Sequence, residues 1–330
     1  MKISIIIPCY NVEEHIFFCL SSLLKQTFGD WEAILVNDGS KDNTLTLLNG
    51  FASKDSRIKV YTQTNQGTAV AREQGIKKAV GEYITFLDAD DTLASHALQL
   101  VADKLKYDPD IIVSGFNLIK EGRIIKTKRI QFDKLESISY LKGVLCGKYG
   151  WELCGKVYKK ELFAGLLQAP QRIRIGEDAV VFIQLVARSE RIVGCHCPLY
   201  NYIQLSQSAS HIRSSKYAEE TLLAVFFIEN YLSQQSFYYQ IKTEISAMCL
   251  LFYSNSTFKA NLGWKHQLVR SLFMSHFKLK ALWKIPKMKA FYIILLYTTK
   301  GRIVNIIKKC CLFDSLRIVW NVFFGSFIRL

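Results

Sequence analysis

Four short runs of branched or aromatic apolar residues each end in a loop bearing Asn or Asp, and a helix-period stretch follows each of them. The runs are Ile3–Ile7, Trp31–Val36, Lys59–Tyr61 and Tyr83–Leu87, and a fifth, Asp110–Ser114, closes the series. At three to six residues they are too short for buried helices and read as strands. Between them lie an Asn11-capped pattern with Ile16, Leu20, Leu23 and Leu24 on one face, and a second helix after Asp42. A third bears Val70, Ile76, Ala79 and Val80 and ends at Gly81, and a fourth runs from about Ser95 to Tyr107. Strand–helix alternation of this kind predicts an α/β, Rossmann-like, mainly parallel sheet flanked by helices, because parallel neighbours need helical crossovers. Ligands of such sheets bind beyond the carboxyl ends of the strands. Pro8-Cys9-Tyr10-Asn11, Asn37-Asp38-Gly39-Ser40 and Asp88-Ala89-Asp90-Asp91 all fall on that rim.

The rim residues suggest chemistry, each with a plainer alternative. Three carboxylates within Asp88–Asp91 repel one another by about 4 kcal/mol per pair at 4 Å in a partly screened site. A hard divalent ion removes that cost and would bring phosphate oxygens with it; alternatively the tetrad is a helix-capping turn through Asp91 or Ser95. Asp38 could accept from a base or ribose, or simply shape a glycine turn. Tyr10 offers a face for stacking. Arg72, on the helix after Gln66-Gly67, could meet phosphate or only solvent.

Taken in order, Pro8-x-Tyr10-Asn11, Asn37–Ser40, Asn65-Gln66-Gly67 with Ala71-Arg72, and Leu87–Asp91 resemble the inverting glycosyltransferases of family 2, which have the GT-A fold. The resemblance covers about the first 115 residues well. It continues more weakly to about 205 through Trp151–Phe163 and Gly176-Glu177-Asp178-Ala179. It implies that Pro8, Tyr10, Asn11, Asp38, Asn65, Arg72 and Asp88 hold the donor. It also implies that Asp90, with Asp88, binds Mn²⁺ or Mg²⁺, and that Asp178 is the catalytic base. A nucleotide-sugar donor, UDP-linked for preference, and a lipid-linked saccharide acceptor in bacterial surface or capsule polysaccharide assembly follow from the same likeness. For Glu177-Asp178 the simpler alternative is an acidic first turn that complements a helix dipole.

The remainder divides by charge. Residues 1–258 carry 29 Lys+Arg against 27 Asp+Glu, whereas residues 259–330 carry 14 against Asp314 alone. A glycosyltransferase domain is expected over 1–212, with 1–115 on the nucleotide-sugar side and 116–212 on the acceptor side, followed by a helical, basic region over 213–330. Lysines from Lys278 to Lys309, interleaved with Trp283, Phe291, Ile303 and others, suit an anionic membrane surface. The competing readings are a nucleic-acid-binding protein, which the strand-end carboxylates would repel, and a non-catalytic scaffold that keeps the fold. No nucleic acid is expected as partner.

The nine cysteines are scattered without a C-x-x-C pair, and Cys195-His196-Cys197 alternates faces on a strand, so zinc is not expected there. Ile3–Ile7 is followed at once by Pro8, Asn11, Glu13 and Glu14, unlike a secretory leader. Together these favour reduced thiols and a cytoplasmic, peripheral place on the inner face of the plasma membrane.

Overall fold

The computed structural model describes residues 2–165, 173, 176–204, 215–259 and 266–298. The backbone divides into two compact units. The first comprises Met1–Leu141, Trp151–Ala169 and Glu177–His211, and the second Lys142–Gly150, Pro170–Gly176 and Ile212–Leu330.

The first unit is built on one sheet. Its strands are β1 (Ile3–Cys9), β2 (Trp31–Asp38), β3 (Ile58–Gln63), β4 (Tyr83–Phe86), β5 (Thr92–Leu93), β6 (Ile111–Lys120), β7 (Arg123–Lys128), β8 (Lys134–Glu136), β9 (Lys156–Lys159) and β10 (Arg191–Ile203). Helices α1 (Ile16–Leu24), α2 (Thr44–Ala52), α3 (Thr68–Lys78), α4 (Ala97–Leu105), α5 (Ser137–Leu145) and α6 (Glu177–Arg188) alternate with them. The strand order is β3-β2-β1-β4-β9-β6-β10-β5, with β7 added on β6 and β8 on β10. β3, β2, β1 and β4 pair in parallel throughout. Beyond them β9 enters antiparallel to both β4 and β6, so the fifth strand foreseen from the sequence, β6, does not neighbour β4. The sheet is therefore parallel at one end and mixed at the other.

β1 and β2 are buried along almost their whole length, on both faces, as central strands covered by helices must be. α3 follows the expected apolar stripe only in part: of the residues just past its end Ala79 is buried and Val80 is 63% exposed, and the buried residues within the helix are Ala71, Arg72 and Gly75. The reason is proximity. A Cβ on Gly75 would lie 2.4 Å from Ile6 Cγ2, so the helix can seat against β1 only through a residue without a side chain. The two β pieces expected near 191–202 form one strand, β10, whose register against β6 shifts between Cys195 and Tyr200. That irregularity leaves both His196 and Cys197 exposed while Cys195 is buried. His196 spends its ring nitrogens on Asp133 and the Ile130 carbonyl, each at 2.8 Å.

The second unit is helical in its described residues: α7 (Ser215–Ser233), α8 (Tyr238–Lys259), α9 (Gln267–His276), α10 (Leu279–Leu282) and α11 (Lys287–Thr298). Leu222, Val225, Ile228 and Leu232 of α7 recur at helical spacing and are buried, as are Ile241, Ile245 and Phe252 of α8. Tyr253 packs on Phe273 with ring centroids 4.4 Å apart. Among the described residues no helix is long and apolar enough to cross a membrane. Arg302, Ile303, Ile306, Ile307, Lys308 and Lys309 of the basic tail lie outside the described residues.

Candidate active site

The carboxyl ends of β1, β2 and β3 bring three loops together. In the first, Pro8 ends in the sheet and Tyr10 is 45% exposed, leaving its ring available to a base. Asn11 stands at φ 50° and ties this loop to the second: its N–H donates to Ser40 Oγ at 3.1 Å, and its Oδ1 accepts from the Lys41 N–H at 2.9 Å. Asp38 is buried and already engaged. Its carboxylate accepts from Gln63 Nε2 (2.7 Å), the Gln66 N–H (2.8 Å) and the Gly67 N–H (2.8 Å). Asp38 thus shapes the third loop, which presents Asn65 as an exposed residue ahead of α3. Gly39 takes φ +70°, and a Cβ there would come within 2.9 Å of the Asn65 nitrogen, so the second and third loops close on each other only over a glycine.

Arg72 is the centre of the site. Seated by the close approach of α3 to β1, it is 7% exposed and donates through one terminal nitrogen to Asp88 Oδ1 at 2.9 Å and through the other to Asp178 Oδ1 at 2.6 Å. Burial alone would favour loss of its proton, but the charges of Asp178 and Asp88 outweigh that and hold the guanidinium charged more firmly than usual. Its Nε is buried with no partner. The sequence allowed a lone helical Arg a solvated face or a phosphate contact; in the structure it is buried, not solvated, and bridges the Asp88 carboxylate beyond β4 and the Asp178 carboxylate of α6.

The three rim aspartates have different surroundings. Asp88 takes the Arg72 bond on one oxygen and the Cys154 thiol on the other, at 3.3 Å. Asp91 is 1% exposed and caps no helix, since α4 begins after His96 in a left-handed conformation with no side-chain cap. Its oxygens accept from the Tyr200 hydroxyl at 2.5 Å and the Ile203 N–H at 2.7 Å. Burial pushes its pKa up to about 8 against these bonds, which favour the anion. Asp90 is half-buried and its pKa is raised by burial, with the charge of Asp88 adding to the effect. Among the described residues the rim's ion pairs are the two made by Arg72, and Asp90 is in neither. An anion that is partly desolvated, crowded by a like charge, eased in charge only by the more distant His15 and held in no ion pair among the described residues fits a hard divalent cation with oxygen ligands.

Asp178 lies in the first turn of α6, which satisfies the dipole reading, yet it also faces inward on Arg72. Burial raises its pKa; Arg72 opposes that, Asp88 adds to it, and the Leu153 N–H favours the anion. A carboxylate lifted in this way is a better proton acceptor near neutrality. Beside it, burial and Asp178 push Glu177 up to about 7.

Three contributors were not legible in the sequence. Tyr200 holds Asp91 and also accepts the Asp88 N–H at 3.3 Å, Cys154 touches Asp88, and Ile203 presents only a backbone N–H. Tyr200 belongs to a strand signal that marks burial and nothing more. Among the described residues, the one group of three metal-ligating types whose ligand atoms lie within 4.8 Å of one another is elsewhere, in the second unit: Glu229, Cys249 and His276. His276 there lies within hydrogen-bond distance of Glu229, at 3.2 Å.

A parallel β3-β2-β1-β4 half with an acidic strand-end rim, extended by a mixed half that supplies a facing carboxylate, defines a Rossmann-like fold of the GT-A type. Comparisons agree. The structure of TarS from S. aureus, solved with UDP-GlcNAc, superposes with a TM-score of 0.67 over 94% of this chain and 92% of that one, at 17% identity. The family model described as Glycosyl transferase family 2 matches residues 4–157. The glycosyltransferase EpsJ of Bacillus subtilis is 35% identical over 219 residues, covering 64% of this chain and 63% of that protein. GlyA of Streptococcus pneumoniae is 28% identical over 232 residues, covering 66% of this chain and 32% of GlyA. The aligned region thus spans less than two thirds of the length of either relative. Residues 4–157 form a family 2 glycosyl transferase domain.

Proposed function

We propose that this protein moves a sugar from a UDP-linked donor to a saccharide acceptor carried on a lipid, with inversion, in the assembly of a surface polysaccharide such as a capsule. The observation that carries the reading is the Arg72 bridge, which sets the donor-side Asp88 and the acceptor-side Asp178 on either flank of one guanidinium. Pro8, Tyr10, Asn11, Asp38 and Asn65 form the nucleoside side. Arg72 places fixed positive charge where a diphosphate would gain negative charge on leaving. Asp178 accepts the proton of the acceptor hydroxyl; the hydroxyl oxygen bonds to the anomeric carbon as the bond to the diphosphate oxygen breaks, and the nucleotide diphosphate departs with that electron pair. A single displacement inverts the anomeric centre. Mn²⁺ or Mg²⁺ on Asp90, with Asp88, would neutralise the diphosphate charge.

The names of similar proteins support these details. TarS was solved with UDP-GlcNAc and with UDP. A mannosyltransferase of Pyrobaculum calidifontis, superposing with a TM-score of 0.52, was solved with GDP-Man and Mn²⁺. The cholesterol galactosyltransferase of Borreliella burgdorferi, 26% identical over 275 residues, supports a lipid acceptor by its name. In this reading residues 1–212 are the catalytic domain, divided near 115 into donor and acceptor sides. The basic region 213–330 keeps the enzyme on the inner face of the plasma membrane.

The test is a panel of nucleotide sugars with Mn²⁺ or Mg²⁺, scored by nucleotide release with and without lipid-linked saccharides. Turnover that stops on chelation and in Asp90→Ala is expected; undiminished turnover in both would remove the metal role. Donor binding with no transfer under any condition would favour a scaffold. Salt-dependent RNA or DNA binding without turnover would favour a nucleic-acid protein.

A further inference from the structure

The second unit carries a surface that the transfer chemistry does not use. Between α9 and α11 the chain reads Lys278-Leu279-Lys280-Ala281-Leu282-Trp283-Lys284-Ile285-Pro286-Lys287. Its inward residues are Ala281, Leu282 and Ile285, each at most 5% exposed. Its outward residues include Trp283, 87% exposed, and Leu279, 69% exposed. The Trp283 backbone N–H donates to the Leu279 carbonyl at 3.2 Å, so the two side chains stand one helical turn apart on the same side. Lys278, Lys280, Lys284 and Lys287 are exposed around them. Lys284 has Glu244 of α8 at 3.1 Å. The whole stretch 266–298 holds six Lys and Arg and no Asp or Glu.

A single exposed apolar residue is ordinary. A Trp and a Leu sharing one turn, pinned by three buried residues beneath and ringed by four lysines, are not explained by folding, since both leave most of their area in water. Tryptophan places an apolar body in hydrocarbon and its N–H among headgroup acceptors, and long lysines reach lipid phosphates from the same depth. A surface that is apolar at its tip and cationic at its rim is complementary to an anionic bilayer.

We propose that the turn Lys278–Lys287 is a membrane wedge, in which Trp283 and Leu279 enter the boundary between headgroups and acyl chains of an anionic bilayer while Lys278, Lys280 and Lys287, which are free of the Lys284–Glu244 pair, bind lipid phosphates. This rests on the membrane recruitment proposed above and identifies the residues that perform it.

The experiment uses the full chain and vesicles of phosphatidylcholine with or without phosphatidylglycerol. Co-sedimentation with the anionic vesicles is expected. Trp283→Ala should weaken it about tenfold, as follows from losing the burial of one large side chain, and Trp283→Phe should restore most of it. Each of Lys278, Lys280 and Lys287 changed to Gln should cost roughly fivefold. Brominated lipids should quench the fluorescence lost in Trp283→Phe. Unaltered circular dichroism and nucleotide-sugar turnover without lipid acceptor would show that each variant is folded. Wild-type binding that Trp283→Ala leaves unchanged would overturn the wedge and leave recruitment to other residues. Absence of wild-type vesicle binding, or binding to RNA in its place, would overturn both.

Discussion

The parallel half of the sheet and the mixed half contribute to the rim in different ways. From β1, β2 and β3 come loops whose polar residues face the rim and largely hold one another: Asn11 with Lys41 and Ser40, Asp38 with Gln66 and Gly67. From β9, β10 and α6 come groups that fasten those loops from across the site: Tyr200 and Ile203 on Asp91, Cys154 and, through Arg72, Asp178 on Asp88. In the proposed reaction one half presents the ligand-facing groups. The other sets their positions and would supply the proton acceptor. A catalytic rim of this kind needs both, because three carboxylates confined within four residues hold a common arrangement only when outside donors divide them.

That division can be tested by substitution on each side. The largest effect is expected in Asp178→Asn, which keeps the shape and much of the Arg72 contact but removes the base. Turnover should fall by about 10²- to 10⁴-fold with donor affinity little changed, measured as kcat beside a binding titration. A large rise in donor Kd instead would move Asp178 to the presenting side. Next, Asp38→Ala strands three donors around a buried site, and unfolding in urea should show a loss of about 2 kcal/mol together with weaker donor binding. Full donor affinity in a folded Asp38→Ala protein would separate the third loop from the nucleotide.

Smaller is Tyr200→Phe, which deletes one buried hydroxyl between Asp91 and the Asp88 backbone and should cost about 1 kcal/mol. Asp91 also has a pH signature. Its folded pKa, about 8, lies above the unfolded value near 4, so the folded state binds the proton more tightly. Stability from this group is present at low pH, declines as pH rises between those values and is flat above them. Asp91→Asn should flatten that decline in a series of melting curves; an unchanged slope would assign it to Glu177 and Asp178, which are raised as well. The least effect is expected in His196→Ala, whose exposed pair with Asp133 lies away from the rim. A change in turnover there would bring the register shift of β10 into the site.

The charge division of the sequence, neutral to residue 258 and cationic beyond, corresponds in the described residues to a turn where apolar and basic side chains share an exposed face. Composition indicated a surface; only packing separated Leu279 and Trp283, which face water, from Leu282 and Ile285, which do not.

Local order along the chain determined the strands β1, β2 and β4, the helices between them and the polar residues at their ends, because strand period, glycine turns and carboxylate crowding act over a few residues. The tertiary structure alone decided that β9 would enter between β4 and β6, that α3 would bury Arg72 against a bare Gly75, and that Asp88 and Asp178, 90 positions apart, would share one guanidinium. Such pairings depend on which surfaces close over one another, and no periodicity in a linear sequence records the distance between residues that meet only when the sheet is complete.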